Sequence, residues 1–363
     1  MRAHLSLEAL ALCAASRLSA QDVPADSARV ADPPRQRAGI SIGDSRGVTG
    51  LRINYRDTRL VRVDGVNITI WSPVGEPTGV VNGLALGLPV TGAREITGLA
   101  TGLFGVGASQ NVTGIGVAPV GLGAGGDLRG LMVGGLGAGA GGEIVGIAIG
   151  GLGAGAGGGV RALAIGGLGV GSGGRTEGVL LGGLGVGSGG DLRGLAVGGL
   201  GAGAGGSLTG IALGGLGVGA AGDVTGLTIG GLGVGGGGAV TGISIGGLGV
   251  GSGASLRGLQ VAAGGVGAPR IGGITIGGLG IGAADIAGVA ISGGYLRVKD
   301  GTLRGVGTGA YTRIDGTQRG LTIGILNRAE RLHGVQIGVL NYAANRPAGL
   351  RWLPVVGWSF GEE

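Results

Sequence analysis

Few side chains in this sequence could carry out covalent chemistry. Nucleophilic catalysis needs a base beside the nucleophile, and beyond the N-terminal segment the chain has one histidine, His333. The single cysteine is Cys13 and the single lysine is Lys299, so the repeats can form neither a cysteine metal site nor a Walker motif. The sequence predicts a protein that is not an enzyme, with no catalytic residues and no cofactor.

Two glycine patterns resemble ligand-binding motifs. GxGxxG matches occur throughout because glycine occupies every second position, but no helical periodicity follows them, as a dinucleotide loop requires. GGLGVGSGGD at 182–191 resembles a calcium-binding nonapeptide, yet Asp191 is replaced by Ser207 in the next unit. Carboxylates that do not recur cannot form a regular ion ladder, so we expect no metal site.

The formal net charge of +6 raises the question of nucleic-acid binding. Between Ala118 and Gly294 six arginines balance six acidic residues, and no aromatic residue occurs between Phe104 and Tyr295. Proteins that bind single strands combine a basic groove with stacking aromatic rings. The sequence therefore predicts no nucleic-acid partner.

The N-terminus indicates export. Residues 1–20 combine Arg2, an apolar stretch and a small-residue end at Ala20, as in a secretory signal peptide. Leu10-Ala11-Leu12-Cys13 is similar to a bacterial lipobox, and whether Cys13 is lipidated is left open. A polar leader follows at 21–38. The predicted location is the periplasm, the outer membrane or the cell surface of a bacterium.

Glycine supplies 100 of the 363 residues, and 43% of the chain is hydrophobic. There is no Gly-X-Y triplet pattern, and the apolar content argues against disorder. Instead, a glycine that we call the anchor precedes an apolar-x-apolar triplet every sixteen residues. The strict anchors are Gly114, Gly130, Gly146, Ala162 (replacing glycine), Gly178, Gly194, Gly210, Gly226, Gly242 and Gly258, with looser ones at Gly50, Gly65, Gly83, Gly98, Gly273, Gly288, Gly320 and Gly334.

The anchors predict one β-repeat array over residues 39–363, with regular glycine-rich units at 98–293. Within a unit, Leu195 and Val197 are out of phase with Leu200 and Ala202. A two-residue turn at Gly198-Gly199 would bring all four onto one face. We therefore expect an all-β protein whose ~16-residue repeats form short β-hairpins in a closed shallow barrel or ring, with a parallel β-solenoid, whose interior these four residues would fill, as the alternative.

The predicted apolar face is a candidate binding surface, with glycine forming a thin opposite wall. A membrane-spanning barrel is disfavoured, because the alternation breaks after about five residues whereas such strands need roughly nine to eleven. The C-terminal stretch 350–360 alternates like a closing strand. The face comprises Leu195, Val197, Leu200, Ile211, Leu213, Leu216 and Val218.

Residues 320–347, GLTIGILNRAERLHGVQIGVLNYAANRP, resemble the bacterial surface-repeat proteins first recognised in leptospires, whose units read G-L/V-Q-x-G-L-x-N-x-A. The tail LPVVGWSF is also similar to how such chains end. We assign the repeat asparagines Asn327 and Asn341 to turns, with stacked amides if the coils are parallel. The array also resembles the shallow hairpin barrel called a β-flower, which suggests lipid contact. The resemblance to the surface-repeat proteins implies an exported, envelope-associated protein with no assigned activity.

These features predict an exported, non-enzymatic repeat protein of the bacterial cell envelope that acts as a structural or binding scaffold. The alternative is a lipid- or membrane-binding protein that uses the recurring Leu/Ile/Val face. Protein partners and oligomeric state remain open.

Overall fold

A computed structural model describes residues 36–73 and 75–360, which form thirty β-strands and one short 3-10 helix. The predicted signal peptide with Cys13, and the leader up to residue 35, lie outside the described residues. The first strands are β1 Arg37–Ile42, β2 Gly47–Asn54, β3 Arg62–Thr69, β4 Val80–Gly87, β5 Val90–Gly102 and β6 Gly105–Ala118.

The regular repeats alternate a four-residue strand with a longer one. These strands are β7 Gly121–Ala124, β8 Leu128–Gly134, β9 Gly137–Ala140, β10 Ile144–Gly150, β11 Gly153–Ala156, β12 Val160–Gly166, β13 Gly169–Ser172, β14 Thr176–Gly182, β15 Gly185–Ser188, β16 Leu192–Gly198, β17 Gly201–Ala204, β18 Leu208–Gly214, β19 Gly217–Ala220, β20 Val224–Gly230, β21 Gly233–Gly236, β22 Val240–Gly246, β23 Gly249–Ser252 and β24 Ser255–Ala262. The C-terminal elements are β25 Gly265–Gly277, β26 Gly280–Ser292, β27 Tyr295–Val298, β28 Thr302–Thr308, β29 Tyr311–Ala343, the helix Ala348–Leu350 and β30 Trp352–Ser359.

The strands stack in parallel, one repeat above the next. β16 pairs with β18 so that Leu195 lies beside Ile211, the same position one repeat later. β17 pairs with β19 in the same way. The chain is therefore a parallel β-solenoid in which one repeat forms one coil, and the predicted hairpin ring or closed shallow barrel is wrong.

The hydrogen bonds at the corner explain this outcome. In a hairpin Val197 would pair with Leu200, but the Leu200 amide donates to the Leu184 carbonyl, 2.6 Å away in the preceding coil. Gly198 and Gly199 turn a corner instead of reversing the chain. Because every repeat presents the same backbone edge, the next coil satisfies the donors and acceptors that a hairpin would have paired internally.

The anchor glycines bend each long strand. Gly194 has a φ of +122°, and a Cβ at this position would lie 2.1 Å from the carbonyl oxygen of Gly178. All predicted glycine anchors have positive φ, and Gly39 and Gly305 add two that the sequence analysis missed. Only glycine adopts this region without steric cost, so the anchor pattern identifies a true backbone requirement.

The interior of the regular coils is narrow and filled mainly by small residues. Ala196, Gly198 and Ala202 point inward, and Ala196 and Ala202 are 0% and 4% exposed. Leu192, two residues before the anchor, is the one large inward side chain of its coil. Space is limiting: a Cβ at the inward position Gly116 would lie 2.3 Å from Leu122 Cδ1.

The predicted apolar face is consequently turned outward. Leu200 and Leu216 are each 50% exposed, Ile211 is 43% exposed, and Leu195, Val197 and Leu213 are half-buried, whereas Val218 lies in the core at 4%. Our assignment of Leu195, Val197 and Leu200 to the interior is wrong. The corner at Gly198-Gly199 does shift the alternation of inward and outward residues, as expected. The narrow interior, however, has room only for the alanines of the pattern, so the large side chains lie outside.

The first coils have a polar interior. Arg52 is fully buried and occupies the position taken by alanine in later coils. Its guanidinium group pairs with Asp57 and Asp44 and donates to Asn67 Oδ1 at 2.9 Å. A buried charge is tolerated only when it is paired and hydrogen-bonded, and this cluster meets that condition.

At the other end, β30 folds back antiparallel onto β29, with Val335 opposite Trp358. β30 therefore covers the hydrogen-bonding edge of the last coil, which protects an otherwise open sheet edge. Arg346 holds β30 in this position: it is 7% exposed and donates through Nη2 to the Trp358 carbonyl of β30 at 2.8 Å. Burial lowers the pKa of Arg346.

Candidate functional site

The largest surface feature is an outward face of aliphatic side chains. Its two ladders occupy the first and third positions after each anchor, and a ridge of leucines occupies the sixth. We call the surface formed by the two ladders the aliphatic face, and we call the row of leucines the leucine ridge. The face runs from Leu99 to Ile291, and the ridge comprises Leu136, Leu152, Leu168, Leu184, Leu200, Leu216, Leu232, Leu248 and Leu279.

The size of this surface sets it apart from ordinary scattered exposure. Coils stack about 4.8 Å apart, so the ten strict repeats present roughly 45 by 15 Å, or about 700 Å², of aliphatic surface. The largest apolar patch on a typical monomer measures about 300–600 Å². Ile243, at 43% exposure, and Leu232, at 50%, show that the side chains are available for contact.

A polar row borders the aliphatic face at the position before each anchor. Arg129 donates to Asp127 at 2.7 Å, and Arg161 pairs with Glu143. Arg193 and Arg257 occupy the same position, and neither forms an ion pair with a described residue. The edge of the face thus offers guanidinium groups beside aliphatic side chains.

The carboxylates of the turns accept hydrogen bonds from the backbone. Asp127 Oδ1 accepts from the Glu143 amide at 2.8 Å, and Asp191 Oδ1 accepts from Ser207 one coil on at 3.0 Å. The hydrogen bond from the Glu143 amide, together with Arg129, lowers the pKa of Asp127. No cluster of metal-ligating side chains occurs within residues 36–73 and 75–360.

The structure places the repeat asparagines inside the last coils. Asn327 and Asn341 are fully buried, and Asn327 Nδ2 donates to Asn341 Oδ1 at 2.7 Å. Thr312 Oγ1 donates to Asn327 Oδ1 at 2.6 Å, which extends the stack. His333, which the sequence alone would place in an exposed turn, lies half-buried within β29.

A second outward face is almost bare. The seventh and ninth positions after each anchor are glycine in every coil from Gly105 to Gly282. Gly201 and Gly203 belong to this surface, as expected for the glycine wall, whereas Ala196, which the repeat pattern would also place on it, lies in the core. We call this surface the glycine face. It adjoins the leucine ridge along one edge and ends at Tyr295 and Arg297.

No known protein family, curated protein or solved structure matches this chain. Among the described residues, no helix has the length and apolar content required to cross a lipid bilayer.

Proposed function

We propose that this protein is an exported, non-enzymatic scaffold of the bacterial cell envelope, and that its aliphatic face binds a lipid surface. The observation that carries the proposal is the continuous exposure of large aliphatic side chains along the regular coils, represented by Ile211 and Leu216. The signal-like segment 1–20 supports export, and the scarcity of nucleophile and base pairs supports a role without catalysis.

The energetics favour a broad apolar partner. Complete burial of a leucine or isoleucine contributes about 1.5–3 kcal/mol, so covering a half-exposed one contributes roughly 1 kcal/mol. Each regular coil offers up to three such side chains, and contacts from a few coils add up to a stable attachment. The ladders lie in register on a continuous stack of parallel strands, which suits an extended surface better than a small ligand.

The polar border is compatible with lipid headgroups. Arg193 and Arg257 can place their aliphatic stems along the apolar surface while their guanidinium groups contact phosphates. Charge contributes little to overall attraction, because the acids and arginines balance in the regular array. We therefore expect binding that depends weakly on ionic strength and strongly on the aliphatic side chains.

Liposome flotation tests this proposal. Wild-type protein should float with vesicles of phosphatidylcholine and phosphatidylglycerol, and the double variant Ile211→Glu/Ile243→Glu should lose at least tenfold in the bound fraction. Ala221→Glu/Ala254→Glu is the matched control: it adds the same number of charges to turn positions outside the aliphatic face, the leucine ridge and the polar row. Far-UV circular dichroism should show that both variants fold.

The proposal fails if wild-type protein does not float, or if both double variants lose binding equally. Export is tested separately: cell fractionation and mass spectrometry should find a mature N-terminus near Gln21 in the envelope fraction. An intact N-terminus in the cytosol would contradict that part.

A further inference from the structure

The leucine ridge is interrupted at one place beside the glycine face. The ridge position is glycine at Gly264, and the leucines on either side of this gap are the most exposed of the ridge. Leu248 is 66% and Leu279 is 75% exposed, against 50% for Leu232 in the regular coils. The gap opens a depression between two prominent apolar side chains.

A cavity of about 780 Å³ occupies this depression. We call it the trough. Gly265, Gly267, Gly280 and Gly282 line it, with Leu248 and Leu279 as its exposed apolar side chains and with Tyr295 and Arg297 at its C-terminal end. The surface is therefore apolar along most of its length and polar at one end.

The polar end continues into a second cavity of about 310 Å³, to which Arg297 and Lys299 both belong. Arg297 Nη2 lies 3.5 Å from Asp315 Oδ2, and Arg313 Nε lies 2.7 Å from Asp315 Oδ1. One carboxylate thus serves two arginines. Lys299 is exposed and forms no ion pair with a described residue, and Arg297 Nε is buried without a hydrogen-bond partner.

The glycines of the trough are not needed by the fold. A Cβ on Gly282 would meet no atom within 4 Å, and one on Gly265 would come no closer than 3.6 Å to the Gly280 carbonyl oxygen. Neither residue has a positive φ. Strands ordinarily favour β-branched residues at such positions, so leaving them bare costs stability while it keeps the trough open.

We propose that the trough binds a free long-chain fatty acid as a single molecule. Its hydrocarbon chain lies on the glycine floor beside Leu248 and Leu279, and its carboxylate is held by Arg297 and Lys299. An excess of cationic groups at one end of an apolar depression complements an anionic amphiphile, because Lys299 has no ion-pair partner among the described residues and Arg297 shares Asp315 with Arg313. The trough shares Leu248 and Leu279 with the leucine ridge, but it lies outside the two ladders of the aliphatic face and does not depend on the proposed function.

Titration calorimetry with full-length protein and monomeric decanoate, dodecanoate and tetradecanoate tests the proposal. Because the trough is open on one side, affinity should rise about twofold per added methylene, less than the roughly fourfold of complete burial. Dodecyltrimethylammonium, which has the same chain length and the opposite charge, should bind at least tenfold more weakly than dodecanoate.

Two variants locate the site. Gly282→Val fills the trough and should weaken dodecanoate binding at least tenfold. Gly187→Val is its matched control: it occupies the same register position of the glycine face six coils away, and its Cβ also meets nothing within 4 Å. It should bind dodecanoate as the wild type does.

Lys299→Gln tests the headgroup. It should weaken dodecanoate binding severalfold and leave dodecanol binding unchanged. Equal losses in Gly187→Val and Gly282→Val, or equal affinity for the cationic amphiphile, would overturn the proposal. So would loss of dodecanoate binding in Ile211→Glu/Ile243→Glu, because that result would place the amphiphile on the aliphatic face.

Discussion

The regular coils between residues 114 and 276 and the C-terminal coils of β29 share one backbone plan but differ in how polar their interiors are. In the regular coils Ala196 and Ala212 fill the interior and Ile211 lies outside. In the C-terminal coils the interior holds the amides of Gln318 and Gln336, while Arg331 is exposed outside. A coil can therefore exchange its interior chemistry without losing the stacking of its strands.

The difference teaches what each interior is suited for. Alanine packs closely between identical parallel coils, but its side chain offers no hydrogen bond to a strand that runs antiparallel to them. Asn341 Nδ2 donates to the Leu353 carbonyl of β30 at 3.3 Å, and Gln336 Nε2 donates to Gln318 Oε1 at 2.9 Å. Side-chain amides thus connect the parallel coils to the antiparallel closing strand, whereas alanine is sufficient for repetition.

The largest expected effect tests what the two regions have in common. Gly210→Val and Gly320→Val should each lower the free energy of unfolding by about 3 kcal/mol or more, since both need a positive φ that a β-branched residue resists. A Cβ at either position would also lie 2.1 Å from the carbonyl oxygen of the preceding anchor. Urea unfolding followed by circular dichroism measures the loss.

Gly203→Val serves as the control for these variants. Its Cβ would come no closer than 3.8 Å to another atom, so its stability should stay within about 0.5 kcal/mol of the wild type. Gly210→Ala should cost less than Gly210→Val, because Ala162 shows that a coil can accept alanine at the anchor without a positive φ. A similar loss for Gly203→Val and Gly210→Val would refute the geometric role of the anchors.

An intermediate effect distinguishes the two interiors. Asn327→Leu leaves the Thr312 hydroxyl, Asn341 Oδ1 and the Ile337 carbonyl without their partner. Leaving buried polar groups unsatisfied costs about 1–3 kcal/mol each, so we expect a net loss of about 3 kcal/mol. Ala212→Ser, which adds a polar group to a regular coil, should cost less, because Ser244 shows that this interior position accepts a hydroxyl. Equal losses would contradict the distinction.

The smallest effect is a pH dependence in the first coils. Arg62, with Asn82, lowers the pKa of Asp64 to about 2. The unfolded chain therefore binds a proton more readily than the folded one, and this contribution to stability is lost as pH falls from 3.8 towards 2. In Asp64→Asn the midpoint of urea unfolding should vary less with pH over that range than in the wild type, and Glu330→Gln is an exposed control. An unchanged slope in Asp64→Asn would contradict the assignment.

The sequence was sufficient to predict the repeat and its register. The anchor spacing places Gly194 and Gly210 at equivalent positions of successive coils, but it does not reveal that these glycines have positive φ, because the glycine face keeps an equally strict register without it. A strand at 350–360 was expected to close a barrel; β30 spans Trp352–Ser359 and instead folds back antiparallel onto β29.

The direction of the faces could not be predicted from the pattern. Alternation separates Leu195 from Ala196 but does not say which is inside, and hydrophobicity alone favours the leucine. The distance between the strands of one coil decides this, and that distance depends on corners such as Gly198, where a Cβ would lie 2.0 Å from the Gly201 carbonyl oxygen. The buried Arg52 was missed for a similar reason, since its partner Asp57 gave no repeating signal.

The in-register pairing of β16 with β18 has a consequence for how such a chain changes over generations. Removing residues 198–213, one whole repeat, would join Val197 to Gly214. Each remaining regular coil would still stack on another coil of the same kind. The gene can therefore gain or lose whole units by recombination between copies, and the product keeps its charged first coils and its amide-lined end. Length becomes an adjustable property of the molecule, independent of the parts that terminate it.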